Sequence, residues 1–147
     1  MDAHSLALVQ ESFEKVVPLG DTVAEIFYDE LFTIDPSLRP MFNGNMAQQK
    51  RKLLSALTLV VRSLHTPHMI LEPVKALGRK HVAYGVKPAH YDTVGAALVR
   101  TLQKGLGDNF TPELCKAWVD AYAMLSAIMK DAAYGSLAQS GIQEEAA

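Results

Sequence analysis

The chain has 147 residues, 49% of them apolar and 20% charged, with a formal charge of −2. That is enough for one domain with a proper core, and it argues against disorder along the whole length. No basic stripe is interleaved with aromatics, so nucleic acid is not an expected partner. A single cysteine, Cys115, excludes an internal disulfide and a multi-cysteine zinc or iron–sulfur site, and its apolar neighbours suit a packed thiol better than a nucleophile. The opening MDAHSLALVQESFEK lacks the charged start and apolar core of a secretory leader. No apolar run reaches the roughly 18–20 residues of a membrane span. A cytoplasmic protein without membrane contact is expected.

His4 or Ser5 opens the first predicted helix, in which Leu6, Val9, Phe13 and Val16 or Val17 recur every three or four residues and so share a face. Pro18 and Gly20 end it. Asp21 is the expected N-cap of a second helix, whose buried side is Val23, Ile26, Phe27, Tyr28, Leu31 and Phe32. Asp35 caps a short helical turn starting at Pro36, and Phe42-Asn43-Gly44-Asn45 has the chemistry of a loop. A long helix is predicted over 47–64, with Leu53, Leu57, Val60 or Val61 and Leu64 inward, stopped by Thr66-Pro67. A shorter one over 69–84 carries Ile70, Val74, Leu77 and His81 at helical spacing. The next, over 90–106, has Val94, Leu98 and Leu102 in register and closes at Gly105, Gly107 and Asn109. Thr111 as N-cap and Pro112 at the first position start the last helix, which runs to about Tyr134 through Trp118, Tyr122, Leu125 and Met129. Nothing alternates with period two and no internal repeat is visible. The expectation is all-α, six long helices plus a short third helix, in one domain over 1–135 with a flexible tail over 136–147.

Three polar residues fall where apolar ones would be expected. Tyr28 lies amid Phe27, Leu31 and Phe32; Gln49 comes one turn before Leu53; His81 follows Val74 and Leu77 on one helix face. Each has an ordinary explanation: a core tyrosine bonded to a carbonyl, an exposed first-turn glutamine, a cation favoured at a helix C-terminus. Together they also suit a common polar object inside, because a buried polar group without a partner costs a few kcal/mol. His65 and His68 flank Pro67 as a loop pair, His4 and His90 are expected to be exposed, and six scattered methionines read as core filler.

Five strings then occur in an order and spacing that resemble a globin: FYDELF at 27–32, DPSLRPMFN at 35–43, QKRKLL at 49–54, GRKHVAYGVKPAHYDTVG at 78–95 and AWVDAYAML at 117–125. The likeness spans almost the whole chain and is greatest to bacterial single-domain haemoglobins and the haem domain of flavohaemoglobins. It implies a globin fold around haem b (iron protoporphyrin IX), with His81 as the proximal iron ligand. By the same resemblance Phe42 wedges against the porphyrin, Tyr28 and Gln49 are the distal tyrosine and glutamine, and Leu53 lies over the iron. Pro36 starts the short third helix, Tyr91 sits beneath the proximal side, and Lys52 pairs with a propionate at the haem edge. In flavohaemoglobins the proximal histidine is backed by a tyrosine and a glutamate from the last helix; the glutamate's place falls here at Ala133, with Asp131 nearby on another face. His81 is therefore expected to have less imidazolate character.

These implications favour reversible binding of oxygen and other diatomic gases such as CO and NO, for transport or storage. Nitric oxide detoxification is expected only with a separate reductase, because no electron-donating domain is read in the chain. A haem-based gas or redox sensor, or an electron-transfer partner, is the alternative, and a bundle without cofactor is the third. The expected state is a monomer or weak homodimer.

Overall fold

The computed structural model describes residues 2–42, 44–83 and 85–135. The expected tail over 136–147, together with Asn43 and Tyr84, lies outside the described residues. Six helices carry the fold: α1 (Ala3–Val16), α2 (Gly20–Ile34), α3 (Met46–Arg62), α4 (Leu71–Ala83), α5 (Pro88–Leu106) and α6 (Pro112–Lys130). Short 3₁₀ turns cover Val17–Leu19, Pro36–Met41, Pro67–Met69 and Gly107–Asn109, and a π turn, Asp131–Gly135, follows α6. No described residue is in a strand, so the all-α expectation holds.

Capping explains most of the boundaries. Asp2 accepts from the Ser5 N–H at 2.7 Å, so α1 starts just ahead of the expected position. Asp35, Asn45 and Thr111 accept from the N–H groups of Ser37, Gln48 and Leu114, which starts the Pro36 turn, α3 and α6. Asp21 does not cap α2. That helix already begins at Gly20, and Asp21 occupies its first turn, where a carboxylate meets the positive end of the helix dipole. α3 stops at Arg62 rather than at Thr66-Pro67, because the chain tightens at Ser63, whose N–H bonds the carbonyls of Val60 and Val61. α4 starts at Leu71, after the 3₁₀ turn that contains Pro67. α5 starts at Pro88 instead of residue 90, since proline at a first helical position forfeits no hydrogen bond.

The core lies where α1, α2, α5 and α6 meet. Val9, Phe13, Leu31, Leu102 and Trp118 are each 3% exposed or less. The Trp118 indole N–H donates to Ser12 Oγ at 2.9 Å, and the Ser12 hydroxyl donates to the Val9 carbonyl, so the polar atoms buried here are paired. α2 lies against α5, and one buried carboxylate crosses between them. Glu30, 8% exposed, is bonded by Lys104 and has Arg100 Nη1 at 3.6 Å. The Lys104 ammonium holds the Glu30 carboxyl below the usual range against the opposing effect of burial. α3 packs on α1 and α2, whereas α4 packs on α6 and the π turn; the two do not form a packed pair with each other. Gly78 lets α4 approach α6 very closely, because a Cβ there would stand 2.5 Å from the Met129 carbonyl oxygen.

Candidate functional site

The expected site residues fall into two groups, one around the start of α3 and one around the end of α4. In the first, Tyr28 of α2 is buried and its ring meets Phe42 edge-on at 5.5 Å between centroids. Phe42 in turn meets Phe32 edge-on at 5.5 Å, and the Arg39 guanidinium lies over the Phe32 ring. The Tyr28 hydroxyl reaches across to α3 and donates to the main-chain carbonyl of Gln49 at 3.5 Å, a long and weak bond. Burial pushes the Tyr28 phenol up, with the contact to Gln49 opposing, so it is a protonated donor at neutral pH. Gln49 and Leu53 are half-buried on α3, and Lys52 is exposed. The structure thus brings Tyr28, Phe42 and Gln49 together and leaves Lys52 at the surface.

In the second group, His81 is half-buried near the end of α4 and its Nδ1 is 2.7 Å from the Leu77 carbonyl oxygen. That bond puts a proton on Nδ1 and orients the ring, the arrangement in which neutral imidazole ligates a metal through Nε2. The His81 carbonyl accepts from the Val86 N–H, which turns the chain towards α5. Tyr134, in the π turn, donates to the Val86 carbonyl, and Tyr122 of α6 donates to the Tyr91 carbonyl at 2.6 Å. Tyr91 itself is 5% exposed, and its hydroxyl has no hydrogen-bond partner among the described residues. Burial, and secondarily Tyr134 nearby, pushes the Tyr91 phenol up to about 12. The Lys130 ammonium lies 5.9 Å from the Tyr91 ring centroid. Ala133 is buried and Asp131 exposed, so no carboxylate from the last helix enters this group.

Sequence reasoning missed Tyr134, Tyr122, Lys130 and Arg39. Tyr134 could not be placed by helical counting because the π turn changes the register after Lys130. His90 was expected to be exposed; it is half-buried, and its Nδ1 accepts from the Lys87 N–H at 2.9 Å, holding the entry to α5. His65 and His68 are exposed in their loop, as expected. No group of three or more His, Cys, Asp or Glu that could hold a metal ion occurs among the described residues, and no helix there is long and apolar enough to cross a membrane.

Phe42, Leu53, Leu77, Val86 and Val94, near these groups in the chain, pack against the core yet remain half-buried. A separate apolar cavity of about 80 Å³ lies behind α3 among Phe13, Val23, Leu54, Leu102 and Trp118. None of Tyr28, Gln49, Leu53 and His81 lines it, so it is not the candidate site.

Comparison with known proteins places the chain in a family and a fold. The family profile described as Globin matches residues 25–129. A flavohemoprotein of Xylella fastidiosa is 31% identical over 133 residues, which is 87% of this chain and 33% of the relative. A flavohemoprotein of Bacillus subtilis is 29% identical over 129 residues, 86% of this chain and 32% of the relative. The chain therefore spans about a third of the length of the curated relatives it matches. Among solved structures, an engineered carbene transferase of Rhodothermus marinus, provisionally designated a nitric oxide dioxygenase, superposes with a TM-score of 0.85 at 24% identity, over 96% of this chain and 99% of that one. A bacterial globin of Campylobacter jejuni superposes with a TM-score of 0.80 at 22% identity, over 92% and 99%.

Proposed function

This chain belongs to the globin family, and we propose that it holds haem b between α3 and α4, with His81 as the iron's protein ligand, and binds oxygen, CO and NO reversibly. The observation that carries this reading is the bond from His81 Nδ1 to the Leu77 carbonyl, which orients the ring and leaves Nε2 as the ligating nitrogen. The residues present fit the group. The half-buried Phe42, Leu53, Leu77, Val86 and Val94 offer apolar surface for a flat macrocycle, and the buried Tyr91 hydroxyl has no partner among the described residues, which a polar haem substituent would supply.

Haem iron supplies the open position at which a diatomic gas binds. The protein's own residues decide how firmly it stays. Tyr28 needs only to exchange its weak bond to the Gln49 carbonyl for a shorter one to the gas, while Gln49 offers an amide donor from α3. A hydrogen bond to a partner that gains charge contributes about 1.5–3 kcal/mol, and 1.4 kcal/mol is about tenfold in affinity. Oxygen, which takes up negative charge on binding, gains more from these donors than CO does. Lys52 is exposed at the start of α3, where its ammonium is available to a propionate. With Ala133 in place of a carboxylate, no acidic partner from the last helix backs His81, which favours holding a gas over driving oxidation. Conversion of nitric oxide to nitrate, the activity that the designation of the Rhodothermus marinus neighbour implies, is accordingly proposed as secondary and dependent on a reductase.

Absorption spectra of the ferric, ferrous and ferrous–CO protein test the reading. A Soret band that shifts on adding CO, and that is lost or greatly weakened in His81→Ala, is the expected result. A purified protein that takes up no haem, or whose spectrum is the same without His81, would refute it. Tyr28→Phe is then expected to raise the oxygen off-rate by about tenfold or more while leaving that of CO nearly unchanged.

A further inference from the structure

The formal charge of −2 hides a division along the chain. Between Asp35 and Asp92 there are nine Lys and Arg and one carboxylate, Glu72, whereas the remainder holds five against fifteen. The basic segment contains Phe42, Gln49, Leu53, His81 and Tyr91, and so most of the candidate site. Two of its cations are internally compensated, Arg62 by Glu14 and Lys75 by Glu72. Arg51, Lys52, Arg79, Lys80 and Lys87 are exposed and Lys50 is half-buried, and none of the six forms an ion pair among the described residues. They sit at the start of α3, at the end of α4 and at the entry to α5, beside Gln49 and His81.

Resting on the haem reading above, we propose that these two helix ends form a docking face for an acidic electron-donor protein that reduces the haem iron. One electron leaves a reduced flavin on the donor and enters ferric iron, giving ferrous iron, with no bond formed or broken in this chain. The rest of the chain carries a net negative charge, so the attraction for such a donor comes from this segment. Two other anionic partners are disfavoured by the side chains present. The large apolar residues exposed on the described surface are Val17, Leu19, Leu59, Met69 and Val119, and none lies among the six cations, so nothing there would enter a lipid surface. Among the described residues no exposed aromatic stands with them to stack on a base. What is left is a purely electrostatic, salt-screened contact, which suits a short-lived electron-transfer encounter.

The test uses the haem-loaded full chain and reduced flavodoxin, an acidic flavin protein, in stopped flow at 20 and 300 mM NaCl, with reduced lumiflavin as a small uncharged donor. The expected result is a rate constant with flavodoxin that falls about tenfold or more at high salt and about tenfold or more in K50E/R51E/R79E/K80E, while lumiflavin reduces all forms equally. The neutralising variant K50Q/R51Q/R79Q/K80Q should fall in between, and K15E/K116E, outside the basic segment, should not slow the reaction. Circular dichroism and the Soret band show whether each variant is folded. An unchanged rate with flavodoxin in both fourfold variants would overturn the proposal. So would tighter binding of the wild-type chain to phosphatidylglycerol vesicles or duplex DNA than to immobilised flavodoxin at equal salt. If the wild-type chain takes up no haem, the haem reading alone fails, and salt-dependent retention of the haem-free chain on flavodoxin still decides for or against the face.

Discussion

The pairs α2/α5 and α3/α4 solve different problems with the same kind of element. α2 and α5 lie directly on one another, and the carboxylate between them, Glu30, is answered by Lys104 and Arg100. α3 and α4 rest on other helices, leave Leu53 and Leu77 half-buried, and carry cations without ion pairs among the described residues at the ends nearest Gln49 and His81. One pair closes on itself; the other leaves apolar surface only partly covered. The difference separates the scaffold from the site: damage to the first should be equal with and without haem, and damage to the second should not.

The largest expected effect is on the scaffold. Trp118→Ala removes the indole from the core and leaves Ser12 without its donor, for a loss of about 3–5 kcal/mol. Urea unfolding should show this loss equally in the haem-free and haem-loaded proteins; a much smaller loss in one form would erase the distinction between the two pairs. Gly78→Ala comes next, at about 1–3 kcal/mol, because its Cβ would press on the backbone of Met129 and α4 must shift. Its mark is faster haem loss to an acceptor apoprotein, since the displaced helix carries His81. Glu30→Gln tests the ion pair by pH. The folded pKa of Glu30 is depressed, so its contribution is present above the unfolded value of about 4.3 and is lost as pH falls through the folded one. The variant should therefore be less stable at neutral pH and lose less stability on acidification, the two curves converging below about pH 4. Parallel curves would mean that the charge on Glu30 is immaterial. The smallest effect is expected at Tyr91, where phenylalanine removes an unpaired hydroxyl. The haem-free protein should melt at the same temperature or slightly higher, by about 1 kcal/mol or less. The haem-loaded protein should melt lower, and equal shifts in both would deny that haem gives the hydroxyl a partner.

Most of the fold was legible because its signals are local. Asp35, Thr111 and Pro112 announce helix starts by their own side chains, and the apolar spacing through Leu98, Leu102 and Trp118 reports burial directly. Boundaries shifted where backbone geometry decided, as at Ser63 and Gly20. The candidate residues Tyr28, Gln49 and His81 stood out singly, as polar residues on apolar faces, but spacing alone said nothing of what they meet. The bond from Tyr28 to the Gln49 carbonyl and the bond from Tyr134 to that of Val86 join residues 21 and 48 positions apart. The second depends on the π turn, for which the run Asp131–Gly135 carries no side-chain signature. Glu30 was equally hidden, because its partners lie one turn apart in the second half of α5 and nothing near Glu30 in the chain predicts them.

The close approach at Gly78 has a mechanical consequence. A helix forced to tilt about its tightest contact turns about that point, as a lever does about its fulcrum. His81 is three residues from Gly78, about 4.5 Å along the axis, so a tilt of about 10° would move its backbone by about 0.8 Å. Leu71, seven residues the other way, would swing by about 1.8 Å. The short arm would carry His81, the proposed ligand, and the long arm would take the larger displacement.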